Sequence, residues 1–99
     1  MMQAVPTADV IITNPTHYSI ALKYDSGSME APKCVAKGTD ELALRIRTVA
    51  REHGIEIVEN KPLARALYDV IEVDEIIPVE YYKAVAEIIS YVFKRKGKI

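Results

Sequence analysis

Asn14-Pro15 interrupts the most strand-like stretch of this 99-residue chain. Before it, Asp9 to Thr13 reads Asp-Val-Ile-Ile-Thr, a β-branched run with the composition of a strand. After it, Tyr18 to Tyr24 places Tyr18, Ile20, Leu22 and Tyr24 on one face at period two. Proline lacks an N–H and fixes φ, so it cannot carry a ladder through the middle of a sheet. The chain must therefore turn a corner at Asn14-Pro15-Thr16-His17. Beyond that corner two arrangements stay open: the strands pair as a hairpin, or they run on in one line.

The remaining elements follow from local signals. Asp25-Ser26-Gly27-Ser28 is a loop by composition, and Lys33 to Ala36 reads as a third strand. Gly38-Thr39-Asp40-Glu41 opens a helix, with Gly38 or Thr39 as cap and two carboxylates in the first turn. Leu42, Ile46, Val49 and Ala50 form its apolar face, and Gly54 stops it. Ile55 to Val58 alternates as a fourth strand. Pro62 begins a short helix, Leu63 to Tyr68, with Leu63, Leu67 and Val70 on its apolar side. Pro78 begins the last helix, whose stripe is Tyr82, Val85, Ile89, Val92 and Phe93. The order β, β, β, α, β, α, α predicts an α/β fold, a small mixed four-stranded sheet packed with helices as an α/β sandwich.

Composition limits the function classes. Thirteen basic side chains face fourteen acidic ones, so no overall field holds nucleic acid or an anionic membrane. A hydrophobic fraction of 49% supports a core for one small domain, residues 1–99. No apolar run reaches the length of a membrane span, and no signal peptide is visible. Cys34 has no second cysteine to pair with and reads as a small buried hydrophobe. His17, His53 and Cys34 lie far apart, so neither a metal site nor a cofactor is expected. His53 reads as a helix cap. Tyr81 and Tyr91 read as exposed, and the basic tail, residues 94–99, as a solvated helix end.

Asn14-Pro15 is also a chemically special bond. Asparagine usually damages a chain when the next backbone N–H attacks its side-chain carbonyl. Pro15 has no N–H, so that route is closed. The reverse attack remains: the Asn14 side-chain nitrogen closes on its own backbone carbonyl, forms a succinimide and expels the Pro15 nitrogen. The logic is covalent catalysis by an internal nucleophile. An amide is a poor nucleophile, so the fold must hold it close, and such proximity can remove several kcal/mol of barrier. His17 is the candidate to accept or return a proton, and the Thr16 hydroxyl or N–H the candidate to hold the carbonyl. In an arbitrary chain the same four residues are an ordinary turn.

With its flanks, the motif is more specific. Val10 to Asp25, with Asn14-Pro15-Thr16-His17 followed by Ala21-Leu22-Lys23-Tyr24-Asp25, resembles the FlhB/YscU family of type III secretion export-switch proteins. The likeness continues in Ala36-Lys37-Gly38, in Pro62 to Tyr68 and in Ala84 to Glu87, and the flank leans toward the flagellar branch. The resemblance implies a cytoplasmic domain on the cytoplasmic face of the bacterial inner membrane. Residues 1–8 would be a linker remnant toward a missing membrane domain, and 9–93 the globular core. It implies self-cleavage at the motif, with Asn14 cyclising, Pro15 as the new amino terminus, and the pieces remaining associated. It implies control of which substrate class is exported, with export-gate components, a ruler protein and export substrates as partners. Each molecule would react once on itself, so the chain is not a turnover enzyme. The competing reading is a non-cleaving docking module for export substrates or gate components. A hydrolase or metal enzyme lacks a nucleophile triad, a carboxylate pair or a phosphate loop.

Overall fold

The runs on either side of Asn14-Pro15 pair as an antiparallel hairpin in the computed structural model, which describes residues 1–97. β1 (Val10–Asn14) and β2 (Tyr18–Lys23) set Val10 opposite Leu22, Ile12 opposite Ile20 and Asn14 opposite Tyr18. β3 (Lys33–Thr39) lies antiparallel to β2, and β4 (Glu56–Glu59) lies parallel to β1. The sheet is mixed, in the order β3-β2-β1-β4.

The unbroken apolar run in β1 explains its central place, because a strand covered on both faces has no solvent side to mark with polar residues. Val10 and Ile12 join a cluster with Ile20, Leu22, Leu67, Val85 and Val92. Ile11 points the other way, into a cluster with Val5, Ala21, Ile46 and Ala50. Each fully buried aliphatic side chain contributes about 1.5–3 kcal/mol, so β1 is strongly anchored. α1 (Asp40–Glu52) covers the second face with Ile46 and Ala50. α2 (Lys61–Val70) and α3 (Tyr82–Arg95) cover the first. This is the α/β sandwich that the order of elements predicts. No helix among the described residues is long and apolar enough to cross a membrane.

Several boundaries differ from the sequence reading. Met2–Thr7, within the segment read as a linker remnant, forms a 3-10 helix with Val5 fully buried against the second face, so packing begins before Asp9. Gly38 is no cap, since it lies within β3; Thr39 holds the N-cap position without a side-chain hydrogen bond. α2 is longer than expected because the Asn60 side chain accepts from the Leu63 N–H and caps an earlier start. Val70 is exposed at 47%, and Ala64 and Ile71 take its place in the core. Pro78 precedes a short 3-10 turn, Val79–Tyr81, before α3 begins. Tyr81 packs half-buried against the first cluster, while Tyr91 is exposed as expected. Of the basic tail, Lys94 and Arg95 complete α3, and Arg95 Nε pairs with Glu56 Oε1 at 3.0 Å; Lys98 and Ile99 lie outside the described residues. Gly54 ends α1 with φ +68°, and His53 caps it, with Nδ1 3.0 Å from the Val49 carbonyl.

Candidate functional site

Asn14 closes β1 and Tyr18 opens β2, so Pro15, Thr16 and His17 are the whole connection. The His17 N–H donates to the Asn14 carbonyl at 2.9 Å, which closes a β-turn with Pro15 at its second position. Neither Thr16 nor His17 has a positive φ, so the turn is type I and not type II. Local sequence explains the shape: Pro15 presets the second position, and a residue before proline is kept extended, which suits Asn14 at the end of a strand.

The turn brings Asn14, Pro15, Thr16 and His17 together. Asn14 and Pro15 are half-buried, while Thr16 and His17 are exposed. The carbonyl of the Asn14–Pro15 bond is the one that the His17 N–H reaches. The sequence reading gave that contact to Thr16; the backbone of His17 makes it instead, because an i to i+3 bond is what closes a β-turn. The His17 ring faces solvent and is 63% exposed, with Nδ1 3.7 Å from Asp40 Oδ1, itself 74% exposed. That separation is too long for a hydrogen bond. Two groups this exposed are screened by water, so the contact is weak.

Neighbouring elements pin the turn from both sides. Thr13 Oγ1 donates to the Tyr18 carbonyl at 2.9 Å, and the Thr13 carbonyl accepts the Asn60 N–H at 3.0 Å. The Asp40 N–H donates to the His17 carbonyl at 3.1 Å. Just past the turn, buried Ser19 donates from Oγ to the Ala43 carbonyl at 3.0 Å and ties β2 to α1. The Tyr18 and Tyr68 rings lie 5.2 Å apart. Lys37 Nζ donates to the Tyr68 carbonyl at 3.0 Å, sits 4.4 Å from that ring and pairs with Glu72 at 3.5 Å. Sequence reasoning assigned Thr13 and Asp40 no role at the turn, because each reaches it only through strand register.

Chemically, the arrangement combines a side-chain amide tethered to its own backbone carbonyl, an N–H on that carbonyl, and a proline nitrogen without a proton. Among the described residues no cluster of three or more His, Cys, Asp or Glu side chains could hold a metal. Cys34 is fully buried away from the turn, and burial pushes its thiol up to about 11, in keeping with an inert core residue. At the far end of β2, an open apolar cavity of about 340 Å³ is lined by Tyr24, Ala31, Pro32, Tyr82, Ile89 and Phe93, among others.

Comparison with known proteins places this chain in a family. The model of the FlhB HrpN YscU SpaS family matches residues 1–92, and the chain belongs to that family. It is 63% identical over 99 residues to the flagellar biosynthetic protein FlhB of Bacillus subtilis, covering all of this chain and 28% of that protein. To FlhB of Salmonella typhimurium it is 54% identical over 96 residues, covering 97% of this chain and 25% of that one. The chain thus spans about a quarter of the length of these relatives. Its structure is similar to the cytoplasmic domain of FlhB from Shewanella putrefaciens, with a TM-score of 0.90 and 46% identity over 98% of this chain and 78% of that one. An EscU C-terminal domain with an asparagine-to-alanine substitution superposes with a TM-score of 0.88 and 32% identity, covering 92% of this chain and 91% of that one. Other EscU domains carry alanine at the proline that follows that asparagine, or at a histidine two residues beyond the proline. That is the spacing of Asn14, Pro15 and His17.

Proposed function

We propose that this chain is the cytoplasmic domain of a flagellar protein-export component that cuts itself between Asn14 and Pro15. The observation that carries the reading is the 2.9 Å hydrogen bond from the His17 N–H to the Asn14 carbonyl, in a turn whose next residue is proline. Attack of Asn14 Nδ2 on its own backbone carbon builds negative charge on that oxygen, where a fixed donor lowers the barrier. The bond to the Pro15 nitrogen then breaks. The proton lost from Nδ2 ends on the Pro15 nitrogen, directly or through water or the His17 ring. The products are a succinimide at the end of residues 1–14 and a new secondary amine at Pro15; water opens the succinimide afterwards. Asn14 is the nucleophile, Pro15 the leaving group, and the His17 backbone the carbonyl donor. Thr16 fills the turn.

In the cell, the cut frees Asn14 and Pro15 to separate while β1 and β2 stay in one sheet. The surface at the turn changes shape and gains charged ends. We assign to that change the switch between classes of export substrate, with gate components, a ruler protein and the substrates themselves as partners, at the cytoplasmic face of the inner membrane. The relatives' name, flagellar biosynthetic protein, supports the flagellar assignment. A second reading, a docking module whose chain stays whole, draws support from the apolar cavity at the far end of β2. Denaturing analysis of the purified chain separates the two: a pair of fragments meeting at Asn14 supports cleavage, and an intact chain supports docking alone.

A further inference from the structure

We infer that Asp40 is a positioning residue of the cleavage turn and that it acts through its backbone. The inference rests on the self-cleavage reading. Residue 40 stands where β3 hands over to α1. Thr39 is still extended, at φ −115° and ψ 157°, and pairs with Tyr18 across the β2–β3 ladder. The Asp40 N–H adds one more bond beyond that pair, to the His17 carbonyl at 3.1 Å. Yet Asp40 is also the first residue of α1. A left-handed backbone reconciles the two roles, and Asp40 has φ +49°, a conformation that asparagine, aspartate and glycine tolerate and other residues resist.

The consequence falls on His17, which is held at both ends. Its N–H reaches the Asn14 carbonyl, and its own carbonyl is held by Asp40. The brace is itself fixed, because Ser19 ties the start of α1 to β2 and Ile46 and Ala50 bury the helix on the sheet. The Asp40 carboxylate is the weaker contact: it lies 3.7 Å from the His17 ring, with both groups largely exposed. Backbone conformation at position 40, rather than charge, therefore sets how firmly the turn presents its donor. Strain stored beside a reacting bond is a recurrent device of functional sites.

The test is a series at this position, with cleavage followed by intact mass and folding by thermal melting. Asp40→Asn and Asp40→Gly keep the left-handed backbone and the N–H, and are expected to cleave within about twofold of the parent. Asp40→Val resists that backbone and is expected to slow cleavage by about tenfold. Asp40→Ala, the milder change, is expected between them and decides the matter if the valine variant does not fold. A second arm uses the uncleavable Asn14→Ala chain and reads hydrogen exchange of the His17 amide. Asp40→Val or Asp40→Ala should speed that exchange, and Asp40→Gly should not. If the glycine variant is as slow as the valine one, the carboxylate carries the effect and the inference is overturned. It is equally overturned if valine and alanine leave both cleavage and exchange unchanged. A parent chain that never cleaves would remove the self-cleavage reading, while the exchange arm would still decide the positioning role.

Discussion

Pro15 determines which of two asparagine reactions is open to Asn14. With no N–H at residue 15, attack on the side-chain carbonyl cannot occur, and only attack by the side-chain nitrogen remains. Asn14→Ala should therefore abolish cutting, because it removes the nucleophile and leaves the fold intact. Pro15→Ala restores the backbone N–H, so chain cutting should slow and a deamidated, uncut chain should appear in the mass spectrum. His17 divides into two parts. Its backbone N–H lies on the carbonyl, while its ring is exposed and is available only for proton transfer. His17→Ala keeps the first and loses the second. Cleavage should fall by about 10²-fold, the lower range for a general acid–base group, and should not vanish. An unchanged rate would take the ring out of the mechanism. A loss as complete as that of Asn14→Ala would show that the backbone donor contributes little.

The elements around the turn are set by close approach as much as by pattern. A Cβ at Gly38 would lie 2.5 Å from Leu42 Cγ, with two further Leu42 atoms at 2.9 Å, so β3 and α1 meet there without room for a side chain. Gly38→Ala should force α1 outward and cost about 1–3 kcal/mol, seen as a lower urea midpoint. Asn60→Ala should cost about 1 kcal/mol by removing the cap of α2. The strands and α3 were legible because their signals are local: the Val10-Ile11-Ile12 run, the period of Tyr18 to Tyr24, and the stripe of Val85, Ile89 and Val92. The Met2–Thr7 helix was not, because its apolar residues, Met2, Ala4 and Val5, show no helical or strand period and take their role from packing on α1 and the sheet. Val70 matched the helical period but lies in the last turn of α2, where Ile71 just beyond takes the buried position. In the site, Asn14 and Pro15 were readable because their chemistry is contained in adjacent residues. Asp40 was not, since only the β2–β3 register brings it to His17.

At the scale of the whole molecule, a cut at the turn leaves residues 1–14 gripped on both sides. β1 lies between β2 and β4, and Val5, Val10, Ile11 and Ile12 are fully buried. Four such side chains contribute on the order of 6–12 kcal/mol, an upper range because unfolded chains already bury some surface. The two pieces should therefore co-elute by size exclusion in native buffer and part only in denaturant; spontaneous separation would contradict this account of the sheet. Cys34 reports on the same core. Its thiol is raised from an ordinary 9.0 to about 11 by burial, so the folded chain holds that proton more tightly than the unfolded one. The stability tied to it is complete below pH 9, falls as pH rises from about 9 to about 11, and levels off beyond. At neutral pH a thiol reagent should label the denatured chain quickly and the native chain hardly at all. The central claim, that the fold turns Asn14 on its own peptide bond, is met most directly by the intact mass of freshly purified chain under denaturing conditions, beside Asn14→Ala. The account predicts two species meeting at Asn14 and Pro15 in the parent and one species in the variant. A single uncut species of 11.1 kDa in both, unchanged after days at neutral pH, would contradict it.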